Sequence, residues 1–349
     1  MRNASPPLVC VVSFVSFVAV LSFVSPANAQ PADVLGTRAQ GMGGAFTAVA
    51  DDATASWWNP AGMAGGAYFN ALIESGSHSE PPSDRTASGD PQRAWRADTR
   101  SLAVAFPALG LSYYRLRVSE IQPQTSTAAA TGVRQDGGAT EVRLRSIVLN
   151  QFGASVGQSV GSHLVLASTF KLVRAGAASQ VQPAASGSLD AATGIDPSGE
   201  MHAGLDVGAM AMLGKARIGL MVRNVKQPEF GSGQDAFTLS RTARLGVAVS
   251  SGSRGVIGRA TVAVDGDLTT TTTVLGDERR FAAGGEVWTT GRTFGLRGGI
   301  SVNTIGDRRT ALSGGLSAAL KKGLYADGEL TGGTNSGRKG WGAALRVTF

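Results

Sequence analysis

The sequence contains one cysteine in 349 residues, three histidines and only 16% charged side chains. A disulfide-stapled scaffold needs paired cysteines, so that class is excluded. Few charges combined with 42% hydrophobic residues exclude an intrinsically disordered chain. After one apolar run near the amino terminus no second long one follows, and mean hydropathy is only +0.04. A polytopic helical membrane protein is thereby excluded. The histidines, His78, His163 and His202, are scattered, and neither a Ser/His/Asp arrangement nor metal-ligand spacing stands out. Nothing therefore points to an enzyme, a metal site or a cofactor. The pI is near 10, yet arginine and lysine are dispersed rather than clustered with aromatics, so nucleic-acid binding is not indicated. What is abundant is glycine, with 48 residues, roughly twice the usual share.

Arg2, the apolar run from Leu8 to Val24 and the small-residue site Ala27-Asn28-Ala29 have the layout of a secretory signal peptide, residues 1–29, cut before Gln30. An uncleaved anchor is the alternative, and the cleavage site argues against it. Cys10 lies inside the run, so the mature chain has no thiol chemistry.

Downstream, segments of about ten residues alternate apolar and polar side chains, and clusters of Gly, Pro, Asp or Asn separate them. Period two predicts strands. They fall at 67–74, 99–106, 110–121, 140–159, 163–174, 199–213, 216–226, 237–251, 255–268, 280–290, 293–304, 310–320, 324–333 and 340–349. Half of the mature chain is then strand, against about 20–25% in ordinary soluble domains. Short joints at 107–109, 160–162, 214–215, 252–254, 291–292 and 321–323 alternate with longer ones at 75–98, 122–139, 175–198, 227–236, 269–279, 305–309 and 334–339. That alternation is the rule for outer-membrane barrels, with short periplasmic turns and long external loops. The expected fold is all-β, a 14-stranded antiparallel transmembrane β-barrel, with both termini on the periplasmic side of a Gram-negative outer membrane.

The two faces of each strand differ. In the last one, Trp341, Ala343, Leu345, Val347 and Phe349 share a face suited to hydrocarbon, whereas Arg346 lies on the other. An Arg or Lys facing mid-bilayer lipid costs roughly 2–4 kcal/mol, so charges should project inward. The inward basic set is Arg115, Arg117, Arg143, Arg145, Lys171, Arg217, Arg223, Arg244, Arg259, Arg297 and Arg346, and it outnumbers the inward acidic residues. Two readings of them stay open: a satisfied ion-pair network, or free arginines that meet a substrate carboxylate bidentately. Arg143, Arg145, Lys171, Arg217 and Arg223 are the candidate ligand contacts.

Residues 30–66 do not alternate. They contain Gly36-Thr37-Arg38-Ala39-Gln40-Gly41-Met42-Gly43-Gly44, then Asp51-Asp52, then Trp57-Trp58-Asn59-Pro60-Ala61-Gly62. A phosphate loop is the rival reading of Gly-Met-Gly-Gly, but no Lys-Ser/Thr follows it. Asp51 and Asp52 can bind a cation or pair with lumen arginines. This combination ahead of fourteen strands resembles the long-chain fatty-acid transporter (FadL-type) superfamily of outer-membrane barrels, and the doubled Trp resembles its branch of PorV/PorQ-like type IX secretion outer-membrane proteins. The resemblance implies that residues 30–66 form a hatch inside a barrel of residues 67–349, with Asn59, Pro60 and Ala61 in the lumen. It also implies passive uptake of small hydrophobic molecules, fatty-acid-like or hydrocarbon-like, leaving sideways through a gap in the wall. Gly153 and Gly157 are where a kink is expected. The alternative is a shuttle or docking platform for secreted proteins, served by the long external loops. Expected partners are outer-membrane lipid, the hydrophobic cargo and the barrel assembly machinery, for which Trp341, Leu345, Val347 and the terminal Phe349 resemble the recognition signal.

Overall fold

The computed structural model of the chain describes residues 33–80, 93–124, 141–334 and 338–349. The expected signal peptide, residues 30–32 and much of the expected loop 122–139 lie outside them. Fourteen antiparallel strands close into one barrel in sequence order: β1 (Asn70–Glu80), β2 (Ala94–Ala105), β3 (Leu109–Gln124), β4 (Glu141–Val160), β5 (Leu164–Pro183), β6 (Glu200–Leu213), β7 (Ala216–Arg223), β8 (Thr242–Ser250), β9 (Ile257–Asp267), β10 (Arg280–Thr289), β11 (Phe294–Asn303), β12 (Thr310–Lys321), β13 (Leu324–Thr334) and β14 (Lys339–Thr348). β14 pairs with β1 from Thr348 opposite Asn70 to Lys339 opposite Ser79, so no edge remains. Closure satisfies every ladder group internally, the condition for a sheet that spans hydrocarbon.

The outer face carries a belt of large, exposed apolar side chains, among them Leu111, Phe170, Leu296 and Leu330. A water-soluble protein would hide such an area. Among the described residues no helix is long and apolar enough to cross a membrane; here strands carry the apolar surface. Phe69, Phe106 and Phe349 form an aromatic cluster at the end of the barrel where the chain terminates, with Phe69 and Phe106 rings 5.5 Å apart.

Four expectations need correction. First, the wall has no kink at Gly153 or Gly157. β4 pairs without a register shift from Glu141 to Val156 with β3 and from Glu141 to Val160 with β5. Both glycines are accommodated inside regular ladders, and among the described residues the only shifts in the barrel fall near short turns, at Ile257/Arg259 and Ala319/Lys321. Second, β3 has the opposite facing: Tyr114, Leu116 and Val118 point inward and are buried, so Arg115 and Arg117 point outward. Third, strands run further than expected into the long connections. β1 continues to Glu80, with His78 buried in it rather than in a loop, and β5 continues to Pro183. Fourth, the long connections that are described are packed. Residues 184–196 fold back as a helical turn, Leu189–Thr193, over the outer face of β2–β4, where Arg96 meets Asp190 at 2.8 Å and Arg117 meets Asp196 at 2.6 Å. The connections 227–239 and 269–279 turn inward, each as a two-stranded ladder, and bury Phe230, Phe237, Leu239 and Val274 against the inner wall. They roof the lumen at the end away from the terminal Phe349.

Candidate functional site

Residues 33–66 lie inside the barrel as helical turns, Thr37–Gly41 and Ala55–Trp58, and a 3-10 segment, Pro60–Gly65. The chain cannot form a strand here, and its amide groups must find partners other than a ladder. Inward carboxylates of the wall supply them. Glu74 accepts from the N–H groups of Gly36 and Thr37 at 3.0 and 2.9 Å, where a helix start leaves N–H donors free. Asp265 accepts from Phe46 and Thr47 at 2.9 and 2.7 Å. Gly36 has φ +88°, and a Cβ there would stand 2.9 Å from the Trp58 indole nitrogen, so both backbone and space require glycine. Asn59 joins three elements: its Nδ2 donates to the carbonyls of Thr47 and Ala209 at 3.0 and 3.1 Å, and its Oδ1 accepts from Ala61 N–H. Pro60 then opens the 3-10 segment at the position where a missing N–H costs nothing.

Arg38 is the electrostatic centre of the segment. Its Nε and Nη2 meet both oxygens of Glu286 at 2.7 Å, and its Nη1 reaches Asp51 at 2.5 Å and Asp52 at 3.1 Å. Burial lowers the affinity of this guanidinium for its proton, but Asp51 and Glu286 more than offset that and hold it firmly charged. Asp51 shows the mirror effect. Burial pushes its carboxyl up, and Arg38, with Arg217 and Arg259 behind it, brings it below the usual carboxylate range. A second buried group follows on the wall, with Arg346 Nε 2.9 Å from Asp327 and Arg297 between Asp327 and Glu286.

Between the segment and the inward ladders lies a cavity of about 80 Å³. Trp57, Trp58, Leu116, Leu149 and Leu239 give it apolar walls; Lys171, Arg223, Arg244 and Arg280 give it cations. Asp33 occupies the cationic side: its carboxylate bonds Arg223 at 2.9 Å, Arg244 at 2.8 Å and the Trp57 indole N–H at 2.8 Å. Burial raises this carboxyl, and the two arginines, the indole and Arg280 outweigh burial and hold it below the usual range. The same arginines lie over the indole faces, Arg223 at 4.5 Å from Trp57 and Arg244 at 5.3 Å from Trp58.

Of the candidate ligand contacts, Lys171 and Arg223 line the cavity. Lys171 is paired with Asp206 at 2.7 Å. Arg217 lies beneath the segment, near the Val49 carbonyl and 3.9 Å from Asp51. Arg143 and Arg145 do not reach the cavity: Arg143 bonds the Gln234 side chain, and Arg145 bonds the carbonyls of Asp235 and Ala236 and stacks over Phe237. They hold an inward ladder in place. The glycines lie against the wall, with Gly41 at Arg297 and Gly43 at Ile300, while Met42 is fully buried and Gly44 faces Trp58. Trp341, Leu345, Val347 and Phe349 stand on the outer face, three of them exposed. Sequence reasoning missed Asp33 and Arg244 as site residues. Arg244 belongs to the inward basic set without standing out within it, whereas Asp33 has no motif around it.

Among solved structures, the chain is similar to the "TodX monoaromatic hydrocarbon channel deltaS2 mutant" (12% identity, 90% of this chain and 99% of that chain, TM-score 0.57). It is also similar to the "CymD monoaromatic hydrocarbon channel" (13%, 90% and 97%, TM-score 0.56) and to a Pseudomonas aeruginosa FadL homologue (10%, 94% and 99%, TM-score 0.54). At these identities the likeness is one of fold alone, the closed 14-stranded antiparallel barrel. No curated protein sequence matches. The family described as "F plasmid transfer operon, TraF, protein" matches residues 90–267, just over half of the chain, and the chain belongs to that family.

Proposed function

We propose that the chain is an outer-membrane channel for passive uptake of small hydrophobic molecules, with residues 33–66 as its hatch and the two inward ladders as its outer closure. The observation that carries this reading is the cavity between them, apolar on one side and lined by ion-paired charges on the other. Engineered apolar cavities of about 150 Å³ hold benzene, so a space of about 80 Å³ belongs to a closed state. Loading requires one closure to move, and the unbroken wall at β4 directs exit past the hatch rather than sideways there. The expected test is uptake by intact cells expressing the chain, with labelled toluene and labelled oleate as cargoes. Uptake of either above the empty-vector rate supports the reading; vector-level rates for both overturn it. The filling of the lumen by residues 33–66 and the inward ladders also favours a second reading, a docking platform for exported proteins, which predicts a co-purifying exported partner from cells cross-linked through the loop end.

A further inference from the structure

The outer wall bears a basic row that nothing in the lumen explains. Arg100 on β2 stands opposite Arg115 on β3, Arg115 opposite Asn150 on β4, and Asn150 opposite Arg174 on β5. All three arginines point outward and are exposed, and none has an ion-pair or hydrogen-bond partner among the described residues. Like charges directly opposite each other on adjacent strands repel. The acidic groups nearby are already engaged: Asp98 with Ser77 and Arg96, Asp190 with Arg96, and Asp196 with Arg117.

Immediately below this row, toward the short-turn end, the wall is apolar and hollow. The next outward level is Leu102, Tyr113, Phe152 and Leu172, again opposite one another, and the level after that includes Leu111 and Phe170. These two levels border a concavity of about 790 Å³, with the exposed Lys226 at its rim. On β4 the outward residues from Phe152 to Val160 cover eight steps. At about 3.3 Å per residue and a tilt near 40° they span roughly 20 Å, close to the thickness of a barrel's apolar belt. The arginine row therefore lies at headgroup level of the leaflet on the loop side, and the hollow lies at the level of its acyl chains.

We propose that this hollow binds a phosphorylated lipid of the outer leaflet, with acyl chains against Phe152 and Phe170 and phosphates on Arg100, Arg115 and Arg174. A multiply charged anion relieves the repulsion within the row, and a planar guanidinium takes phosphate oxygens in pairs. Of outer-leaflet lipids, one that carries two phosphates on a compact multi-acyl head suits three cations spaced over four strands. The inference rests on the membrane orientation taken under Proposed function, but not on uptake. The site is on the far side of the wall from the cavity, so lipid binding with no cargo uptake would overturn the uptake reading and leave this one standing.

The test uses the full chain in detergent and measures retention of diphosphorylated lipid A by native mass spectrometry. Each cation near an anionic headgroup contributes about fivefold, so R100Q/R115Q/R174Q should bind lipid A roughly a hundredfold more weakly. R100K/R115K/R174K, which keeps the charges, should lose much less. Wild type should also prefer lipid A over its dephosphorylated form, a comparison that needs no variant to fold. Equal affinity for the two lipids, or full binding by the glutamine variant with heat-modifiable folding intact, would overturn the proposal.

Discussion

Arg38→Met is the most informative perturbation of the inner segment. Methionine fills similar space but removes every donor, leaving Glu286, Asp51 and Asp52 without the guanidinium that joins them at 2.5 to 3.1 Å. Breaking a buried pair by removing one partner costs about 3–5 kcal/mol. Part is recovered, because Arg297 stands 3.5 Å from Glu286, and Arg259 and Arg217 stand 3.7 and 3.9 Å from Asp51. The lower end of the range, about 3 kcal/mol, is therefore the expected loss. The barrel ladders do not run through Arg38, so the loss falls on docking of residues 33–66, and their undocked population should rise by a factor of roughly a hundred. Limited proteolysis of the folded protein in detergent reads that population directly when opening is fast relative to cleavage. Cleavage within 33–66 should accelerate roughly a hundredfold, while the heat-modifiable migration of the barrel stays as in wild type. R38M/E286Q should recover part of the protection, since one of the stranded charges is gone. Unchanged cleavage in R38M would refute the reasoning, and so would collapse of the barrel together with the segment.

Other outcomes follow from single contacts. Asp33→Ala leaves Arg223 facing the cavity without a carboxylate and Arg244 with Asp267 alone, and should raise ion conductance in planar bilayers; an unchanged conductance histogram would speak against Asp33 as a latch. Asn59→Ala removes three hydrogen bonds at 3.0 to 3.1 Å and should weaken segment docking by about 2–3 kcal/mol, visible in the same proteolysis assay. Asp33 and Asp51 both titrate below the usual carboxylate range, so their contribution is complete above the unfolded value near 4 and is lost as pH falls through the folded one. Protection of 33–66 should be flat from pH 8 to about 5 and decline below about 4; a decline centred near pH 6 would contradict the downward shift of both carboxyls.

The barrel was readable because its physics is local. A strand that meets lipid on one side and polar groups on the other must alternate, and a charge on the wrong face is too costly to persist. That logic located Arg297, Arg346 and Lys171 on the inner face. It failed on β3, where Tyr113 and Tyr114 are adjacent and both suit either face. There the choice is made by Tyr114, which packs edge-on to Trp57 at 5.4 Å and hydrogen-bonds Ser56, contacts set 58 or fewer residues upstream and invisible to periodicity. It failed again on Arg143 and Arg145, because inward parity says nothing about which loop will fold in above a side chain. Their partners, Gln234, Asp235 and Ala236, lie about 90 residues away on a connection that the alternation of short and long joints marks as external. The Gly153 and Gly157 expectation failed for a related reason: glycine permits a bulge but does not demand one, and both positions fit a regular ladder with Lys171 and Ala167 opposite.

The surplus of glycine has a more specific cause than turns. Several inward positions of the wall are glycine where the inner segment passes, and a Cβ at each would strike that segment. At Gly284 and Gly299 it would lie 2.2 Å from the Met42 carbonyl group, and at Gly219 2.5 Å from the Thr47 carbonyl oxygen. At Gly208 it would lie 2.2 Å from the Asn59 side-chain oxygen. These residues sit on β6, β7, β10 and β11, so the segment rests in a track of bare backbone cut into one arc of the barrel. Such a track fixes position by shape, whereas Glu74, Asp265 and Glu286 fix it by charge, and the two act on different atoms. A conductance increase from Asp33→Ala alone would then come from the cavity side only, because the track keeps Met42 to Asn59 seated. Gly284→Val should unseat that stretch without altering any charge. If both variants raise conductance, and the double variant raises it by the product of the two factors, latch and track are independent closures. If the double variant adds nothing to Gly284→Val, Asp33 acts only through the seating of the segment.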